Sequence, residues 1–462
     1  MALPIEEALA RFEAMFREAG EPPEAFETFA RLYRRYRQGE TGTVEWDRIE
    51  PAGPEQMVPL EAADTPEARR EGERRWGELV WIVLNGGLGT SMKMDRAKSL
   101  VPVKGNRSFL DLLADHVLRL RRRTGVELPV LFMNSFATRD DTLRALAGKG
   151  LEVRGLPLDF VQHRFPRIRE DDGGPLGAAG DRDAWAPPGH GNLYAALAGS
   201  GVLERLLDAG IRWAFVSNAD NLGASPHLGL LGHLANENLQ FALEVTPKTE
   251  ADVKGGTLVV KDGRLELLEI AQVPPGREAE FQDIRRFRVF NTNNLWVDLA
   301  AVRDLVSQGR GLELPLIVNR KEARGVGVVQ LETAMGAAIG AFERSRGIVV
   351  GRERFAPVKT TDDLLARRSD AYVPGDESPL VPNPERDPAL GPLVIRLDPR
   401  YYRSVADLDL RIPDPPSLVR ARRLEVRGDV RFGRGVVVVG DAIVENPGGE
   451  PLRVPDGERL GG

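Results

Sequence analysis

The sequence predicts an α/β protein, a mixed Rossmann-like sheet core with a helical N-terminus and a small β-rich C-terminal unit. Three observations predict it. The apolar run Leu79 to Leu84 has the length and β-branched content of a buried parallel strand, and it breaks at once into Asn85-Gly86-Gly87-Leu88-Gly89-Thr90. Further apolar runs then alternate with segments of helical spacing as far as about residue 372. Beyond it, short strand-like runs follow one another at close spacing with Gly turns between them.

The elements follow in order. Ile5, Leu9, Phe12, Met15 and Phe16 share one helix face, and Phe26, Phe29, Leu32, Tyr33 and Tyr36 share a second. Residues 40–75 are rich in Pro and charge and predict an extended arm. Its Arg69-Arg70 and Arg74-Arg75 pairs alternate with Glu71 and Glu73 as on a solvated helix face. Ser108 opens a helix that ends before Gly125, and Leu128 to Met133 is a second buried strand. Thr138 with Asp141 three residues on predicts a capped helix. Asp159 to Gln162 is a short strand, followed over 164–191 by an irregular segment of the length that usually serves function. Leu193 to Leu207 has helical spacing, and Trp213 to Asp220 is a third buried strand that ends in a carboxylate. Phe241–Val245 and Thr257–Leu268 predict strands, the latter folded at Lys261-Asp262-Gly263-Arg264. Phe290 to Trp296 sets three amides in an apolar strand, Val328 to Phe342 predicts a helix, and Phe355 to Thr361 is a loop with Lys359. Between and after Pro-rich breaks at 373–393 and at Ile412–Pro416 lie short strands (Val394–Leu397, Leu424–Val426, Val436–Val439) that suggest a small β-solenoid, with a loose tail from Asn446. The expected units are therefore 1–75, 76–372, a linker 373–393, and 394–462.

Composition narrows the class. At 462 residues the chain has room for two or three domains. A net charge of −6 offers no basic footprint for nucleic acid and no attraction to anionic membranes. There is no apolar run of membrane-spanning length, and Met1 to Glu7 has no signal-peptide pattern, so a soluble, cytoplasmic protein is expected. With no cysteine, disulfides, thiolate nucleophiles and Cys-zinc sites are excluded.

The glycine loop carries the chemistry. Three glycines in four positions let the backbone approach a ligand closely, and successive N–H groups in such a turn bind anions. Lys93, Arg96 and Lys98 follow. The spacing is neither a Walker loop nor G-x-G-x-x-G, since Met92 stands at the last position. What remains, G-x-G-T and then Lys98-Ser99, resembles the signature loop of nucleotidyltransferases that join an NTP to a sugar phosphate; a ligand-free strand-to-helix turn is the alternative. Ligands in open α/β sheets bind beyond the carboxyl ends of strands, so Gly87, Asn134, Gln162 and Asp220 should converge on one edge. An acidic residue opposite a phosphate loop suits Mg²⁺ shared with phosphates, and an Asx turn closing the strand is the alternative.

LNGGLGTSMKMDRAKS, FMNSFATRDDT, VQHRFPRI, WAPPGHGNLY, FVSNADNLGA, LEVTPKTEADVKGGTLV, LLEIAQVP, VFNTNNLWV, VVQLETAMGAAI and RFAPVKTTDDLL together resemble, in order, the motifs of eukaryotic-type UTP–glucose-1-phosphate uridylyltransferases, the UDP-glucose pyrophosphorylases. The resemblance implies a nucleotidyltransferase, GT-A-like core with a C-terminal left-handed β-helix. It implies Mg²⁺ as cofactor, and UTP, glucose 1-phosphate, UDP-glucose and pyrophosphate as partners. It leaves room for a homo-oligomer through the C-terminal domain. Lys98 is assigned to the reacting phosphates, Asp220 to the metal, and Leu84, Gly86, Gly87, Gly89 and Thr90 to the nucleotide. By the same resemblance Gln162 and Gly189 read uracil, His190 contacts the phosphate region, and Lys359 grips phosphate. Asn221, Gly256, Glu269, Asn291 and Asn293 would hold the sugar. One departure stands out: Lys93 and Arg96-Ala97 occupy positions where the family usually has Gly and Gly-Pro. A broader UDP-sugar or UDP-N-acetylhexosamine pyrophosphorylase, a glycosyltransferase of similar fold, and a non-catalytic nucleotide-sugar sensor are the competing readings.

Overall fold

A computed structural model describes residues 2–249, 253–307 and 312–462; Glu250 to Asp252 of the LEVTPKTEADVKGGTLV motif lie outside the described residues. Its centre is an eight-stranded sheet whose strands, in chain order, are β1 Met57–Pro59, β2 Leu79–Asn85, β3 Val130–Asn134, β4 Asp159–Val161, β5 Trp213–Asn218, β6 Phe241–Pro247, β7 Val289–Asp298 and β8 Ser345–Val349. They lie side by side as β1-β8-β6-β7-β5-β2-β3-β4. β7 runs against both neighbours, while every other pairing in this sheet is parallel.

The apolar runs become strands because both faces are covered. Leu79, Trp81 and Val83 of β2 pack with the Phe109–Thr124 helix, while Val80, Ile82 and Leu84 pack with the Leu193–Gly199 and Val202–Asp208 helices on the other side. A capping box between Ser108 and Asp111 starts the Phe109–Thr124 helix, and Gly125 ends it at φ 69°. The helix expected over Leu193 to Leu207 is two helices, separated where Gly201 turns to φ 71°.

Several expectations are corrected. Residues 40–75 are not an extended arm. They supply β1 to the sheet edge and Ile49–Pro51 to a second sheet, then form the Pro66–Arg75 helix, capped by Thr65. That helix is not a solvated one either: Glu71 is buried, and the helix crosses Leu228–Asn236 at backbone contact. A Cβ on Gly72 would lie 1.9 Å from the Leu228 carbonyl oxygen, and one on Gly232 would lie 1.7 Å from that of Ala68. The helix expected over Val328 to Phe342 is a strand, Val326–Glu332, followed by 3-10 turns over Met335–Ala341. Val328 and Val329 are buried between strands on either side, and a fully buried strand shows no period-2 pattern to read. Thr138 does precede the Arg139–Leu146 helix, but its hydroxyl accepts the Ser135 N–H rather than capping the helix.

At the C-terminus Val394–Leu397, Ala421–Arg427, Val437–Glu445 and Arg459–Gly461 pair in parallel, as do Val430–Phe432 and Leu452–Val454. From Ala421 on, parallel strands joined by short turns form the coils of a solenoid, while two short helices, Pro399–Tyr402 and Val405–Arg411, separate its first strand from the rest. The tail from Asn446 is not loose, since it contributes two of these strands. The Pro-rich segment is docked as well: Leu380 is fully buried and its N–H bonds the Leu222 carbonyl. One apolar cluster runs from beneath the Phe109–Thr124 helix into Leu418, Leu424 and Val438 of the solenoid. Among the described residues no helix is long and apolar enough to cross a membrane.

Candidate active site

The parallel strands β2, β3, β4 and β5 end on one edge, with Asn85 level with Asn134, Asn134 with Val161, and Asn218 with Leu84. A cleft of about 340 Å³ opens there. It is lined by Leu84, Gly86, Gly87, Lys98, Gln162, Gly189, His190 and Asp220 from among the expected residues.

Buried amides pin the glycine loop from below. Asn85 Nδ2 donates to Asn134 Oδ1 (2.8 Å) and to Thr142 Oγ1 (2.7 Å), and Asn134 Nδ2 donates to Asp159 Oδ2 (3.2 Å). Above it lies the Gln162 side chain, whose own backbone N–H bonds Asn134 O at 2.8 Å. A Cβ on Gly86 would sit 2.6 Å from Gln162 Nε2, so only glycine lets that amide rest on the loop backbone.

Gly189 adopts φ 78°, and a Cβ there would lie 2.4 Å from the Thr333 carbonyl oxygen. This turn presents His190, whose Nδ1 accepts the Met335 N–H at 2.9 Å. The ring proton of the neutral imidazole is therefore on Nε2, which makes that nitrogen a donor. Burial pushes the His190 pKa down to about 4, so the ring is neutral near pH 7.

Lys98 is held by its backbone N–H to Gly87 O (3.2 Å) and by an ion pair from Nζ to Asp220 Oδ2. Both side chains are 18% exposed, so this charge pair lines the cleft without being immersed in solvent. Ala219 N–H bonds Leu84 O at 3.0 Å, which ties the Asp220 turn to the strand that carries the glycine loop. Among the described residues no three His, Asp or Glu side chains gather as a metal cage. The Asp220 carboxylate in the cleft fits Mg²⁺, which takes one or two carboxylates and completes its shell with phosphates and water.

Gly256, Glu269, Asn291 and Asn293 form a second group at the same sheet edge, where β7 begins. Asn291 N–H bonds Gly256 O (2.8 Å), while Asn291 and Asn293 exchange a backbone-to-side-chain and a side-chain bond, each 2.9 Å. The Glu269 carboxylate packs on Gly256, where a Cβ would lie 2.8 Å from it. Burial raises the Glu269 pKa, against the Asn291 hydrogen bond and the charge of Lys359. Lys359 Nζ lies 5.8 Å over the Phe290 ring. Three expected residues stand apart. Gly89 packs on Met94 and Thr90 N–H closes on Leu88 O, and neither is among the residues that line the cleft. The Asn221 amide is directed into the protein, to Asn294, Arg354 and Ala356. Asn218, Ser99 and Pro187 line the cleft and were not among the expected residues. Asn218 lies two positions before Asp220, at the strand end the same rule points to.

The profile of the family described as UTP–glucose-1-phosphate uridylyltransferase matches residues 26–439. The protein of that name from Solanum tuberosum is 42% identical over 435 residues, covering 93% of this chain and 90% of its own. That from Saccharomyces cerevisiae is 38% identical over 451 residues, covering 94% and 87%. The UDP-glucose phosphorylase structure from Trypanosoma brucei superposes with a TM-score of 0.89 at 37% identity, covering 98% of both chains. A single-residue mutant of the Leishmania major UDP-glucose pyrophosphorylase, in complex with UDP-glucose, gives 0.88 at 36% identity, again covering 98% of both.

Proposed function

The chain belongs to the UTP–glucose-1-phosphate uridylyltransferase family, and from that premise we propose how its residues divide the work. It is an enzyme that converts UTP and glucose 1-phosphate to UDP-glucose and pyrophosphate, reversibly.

Glucose 1-phosphate needs little activation. A phosphate monoester with a second pKa near 6 is largely a dianion at neutral pH, so its oxygen can attack the α-phosphorus of UTP in line. The new P–O bond joins UMP to the sugar phosphate as the bond to pyrophosphate breaks. The protein must align two polyanions and absorb charge on the leaving group. His190 suits this as a hydrogen-bond donor through Nε2, and a neutral ring whose Nδ1 is already engaged is a poor base.

The observation that carries the assignment is the Lys98–Asp220 ion pair inside the glycine-loop cleft. Phosphate oxygens compete with Asp220 for the Lys98 ammonium, so the charge meets the reacting groups at a site already short of water. Asp220 is the residue that would hold Mg²⁺, which when bound supplies positive charge against the phosphates. The Gly86 and Gly87 backbone, with Leu84, Gly89 and Thr90 shaping the loop, receives the nucleotide. Gln162 and Gly189 read the uracil edge. Glu269, Asn291, Asn293 and Gly256 offer donors and acceptors to the sugar hydroxyls, and Lys359, within electrostatic reach of Glu269, grips phosphate from the far loop. We assign catalysis to the unit built on the central sheet, residues 76–372 together with the strand at 57–59, with the helices at 5–37 as an N-terminal segment, 373–393 as a docked connection and 394–462 as the solenoid.

Pyrophosphate-dependent release of UTP from UDP-glucose tests the reading, with other UDP-sugars as competitors. Faster turnover of a UDP-N-acetylhexosamine would move the sugar assignment to the broader class.

A further inference from the structure

Asp220 and Lys359 stand on loops far apart in the chain, yet a buried polar network joins them. The Asn221 side chain is 1% exposed and every hydrogen-bonding position of its amide is engaged. Nδ2 donates to Arg354 O (3.1 Å) and Asn294 Oδ1 (3.2 Å), while Oδ1 accepts the N–H groups of Ala356 (2.8 Å) and Gly223 (3.3 Å). One amide thus grips both sides of the 354–356 segment, three residues before Lys359, from the position next to Asp220. The two loops also touch backbone to backbone, since a Cβ on Gly223 would lie 2.3 Å from Glu353 O.

Beneath this clamp sits an anchor. Arg354 makes a two-pronged pair with Glu244 (Nε to Oε2 3.0 Å, Nη2 to Oε1 2.7 Å) and donates to Ser225 O at 2.8 Å. Glu244 is fully buried on β6 and takes two more bonds, from Asn294 Nδ2 and Trp296 Nε1, each at 3.0 Å. A buried pair of this kind is a poor source of stability, because desolvation offsets its attraction. Satisfied by so many directional bonds, it admits one arrangement of the backbone around it.

We infer that Asn221 is a positioning residue that fixes the separation of Asp220 and Lys359, with the Glu244–Arg354 pair as its footing; this rests on the assignment of Asp220 and Lys359 to the reaction. Asn221 acts through those two residues and touches neither nucleotide nor sugar. Misplacement of a reacting charge by about 1 Å can cost on the order of 100-fold in rate. The amide therefore affects turnover through geometry.

The test is a double-mutant cycle between Asn221 and Lys359, measured on the full chain in the direction of UTP release. Asn221→Asp keeps the acceptor for Ala356 and loses the donor to Arg354 O, while Asn221→Leu loses both. Each should lower kcat by about 10-fold or more, with a smaller change in the KM for UDP-glucose. In a Lys359→Ala background the same changes should cost little further, because the group being positioned is gone. Thermal unfolding of every variant identifies those that fold. Should Asn221→Leu not fold, the Asn221→Asp cycle decides alone. Equal fold-losses in both backgrounds, or a lowered Tm with kcat intact, overturn the inference. Unchanged turnover in Lys359→Ala by itself instead removes Lys359 from the reaction, which is the failure of the underlying assignment.

Discussion

Lys98 Nζ donates to Asp220 Oδ2, joining the glycine loop to the turn after β5 across 122 positions of sequence. Each side chain satisfies the other, so the resting cleft holds a charge pair that substrate must enter and rearrange. The two partners can then be told apart by what is lost when each is removed.

Lys98→Ala should cut kcat by orders of magnitude with a modest change in KM, because its charge meets the oxygens on which negative charge builds in the transition state. Lys359→Ala should raise KM for pyrophosphate as well as slowing turnover. Steady-state kinetics in both directions separate them, and near-normal kcat in Lys98→Ala would refute the role given to the glycine loop.

Asp220→Asn should abolish most of the Mg²⁺-dependent rate while leaving the fold intact, since an amide replaces the one carboxylate that lines the cleft among the described residues. A Mg²⁺ titration of activity on wild type and variant is the check. Coincident curves would take Asp220 out of the site.

Gly86→Ala drives a Cβ into the Gln162 amide, and Gln162→Leu removes that amide altogether. Both should weaken UTP by about 1–3 kcal/mol, the cost of leaving a base edge unpaired. Calorimetric titration would show it, and equal UTP affinity in both variants places uracil recognition elsewhere.

Lys93 sits at φ 55°, in the left-handed region that glycine occupies without strain. Lys93→Gly should stabilise the protein by roughly 1 kcal/mol or less, because relief of strain is partly offset by the freer unfolded chain. Chemical denaturation measures this, and a loss of stability would mean that the lysine side chain contributes packing.

Acid should destabilise the protein well above the range of its carboxylates. Burial lowers the pKa of all five histidines, His116 to about 3 and His163 and His190 to about 4, with His227 and His233 displaced the same way. Between the ordinary 6.5 and these values the unfolded chain binds the extra protons, so stability is present above 6.5 and is lost as pH falls toward 4. Asp362, raised by burial to about 6, works in the opposite sense, as do Glu266 and Glu269, but the histidines outnumber them. Tm should drop between pH 7 and pH 5; a flat Tm there would contradict the buried neutral rings.

Much of this was legible in the sequence where local pattern and tertiary burial agree. The runs beginning at Leu79, Leu128 and Trp213 are apolar because both faces of their strands are covered, and the glycine loop and Asp220 sit where strand ends must place them. Residues 57–59 were not legible as a strand, because only a distant partner makes them one. The Pro66–Arg75 helix looked solvated because its packing face is built of Gly72 and Ala68, which carry no hydrophobic signature. Asn221 looked like a ligand because sequence reports residue type and neighbourhood, while the direction of an amide is decided by the backbone groups left for it to satisfy.

The pairing of β1 with β8 also has a consequence in time. Residues 57–59 are made early by the ribosome and residues 347–349 late, so the border strand of the central sheet stays unmatched through most of synthesis. Until β8 emerges, β1 has no strand of the sheet to join and β6 is the open margin, and such margins recruit foreign strands. β1 is only three residues long, and Pro59, without an N–H, ends it. β1 itself, this short, gives a foreign strand little to pair with while it waits for β8.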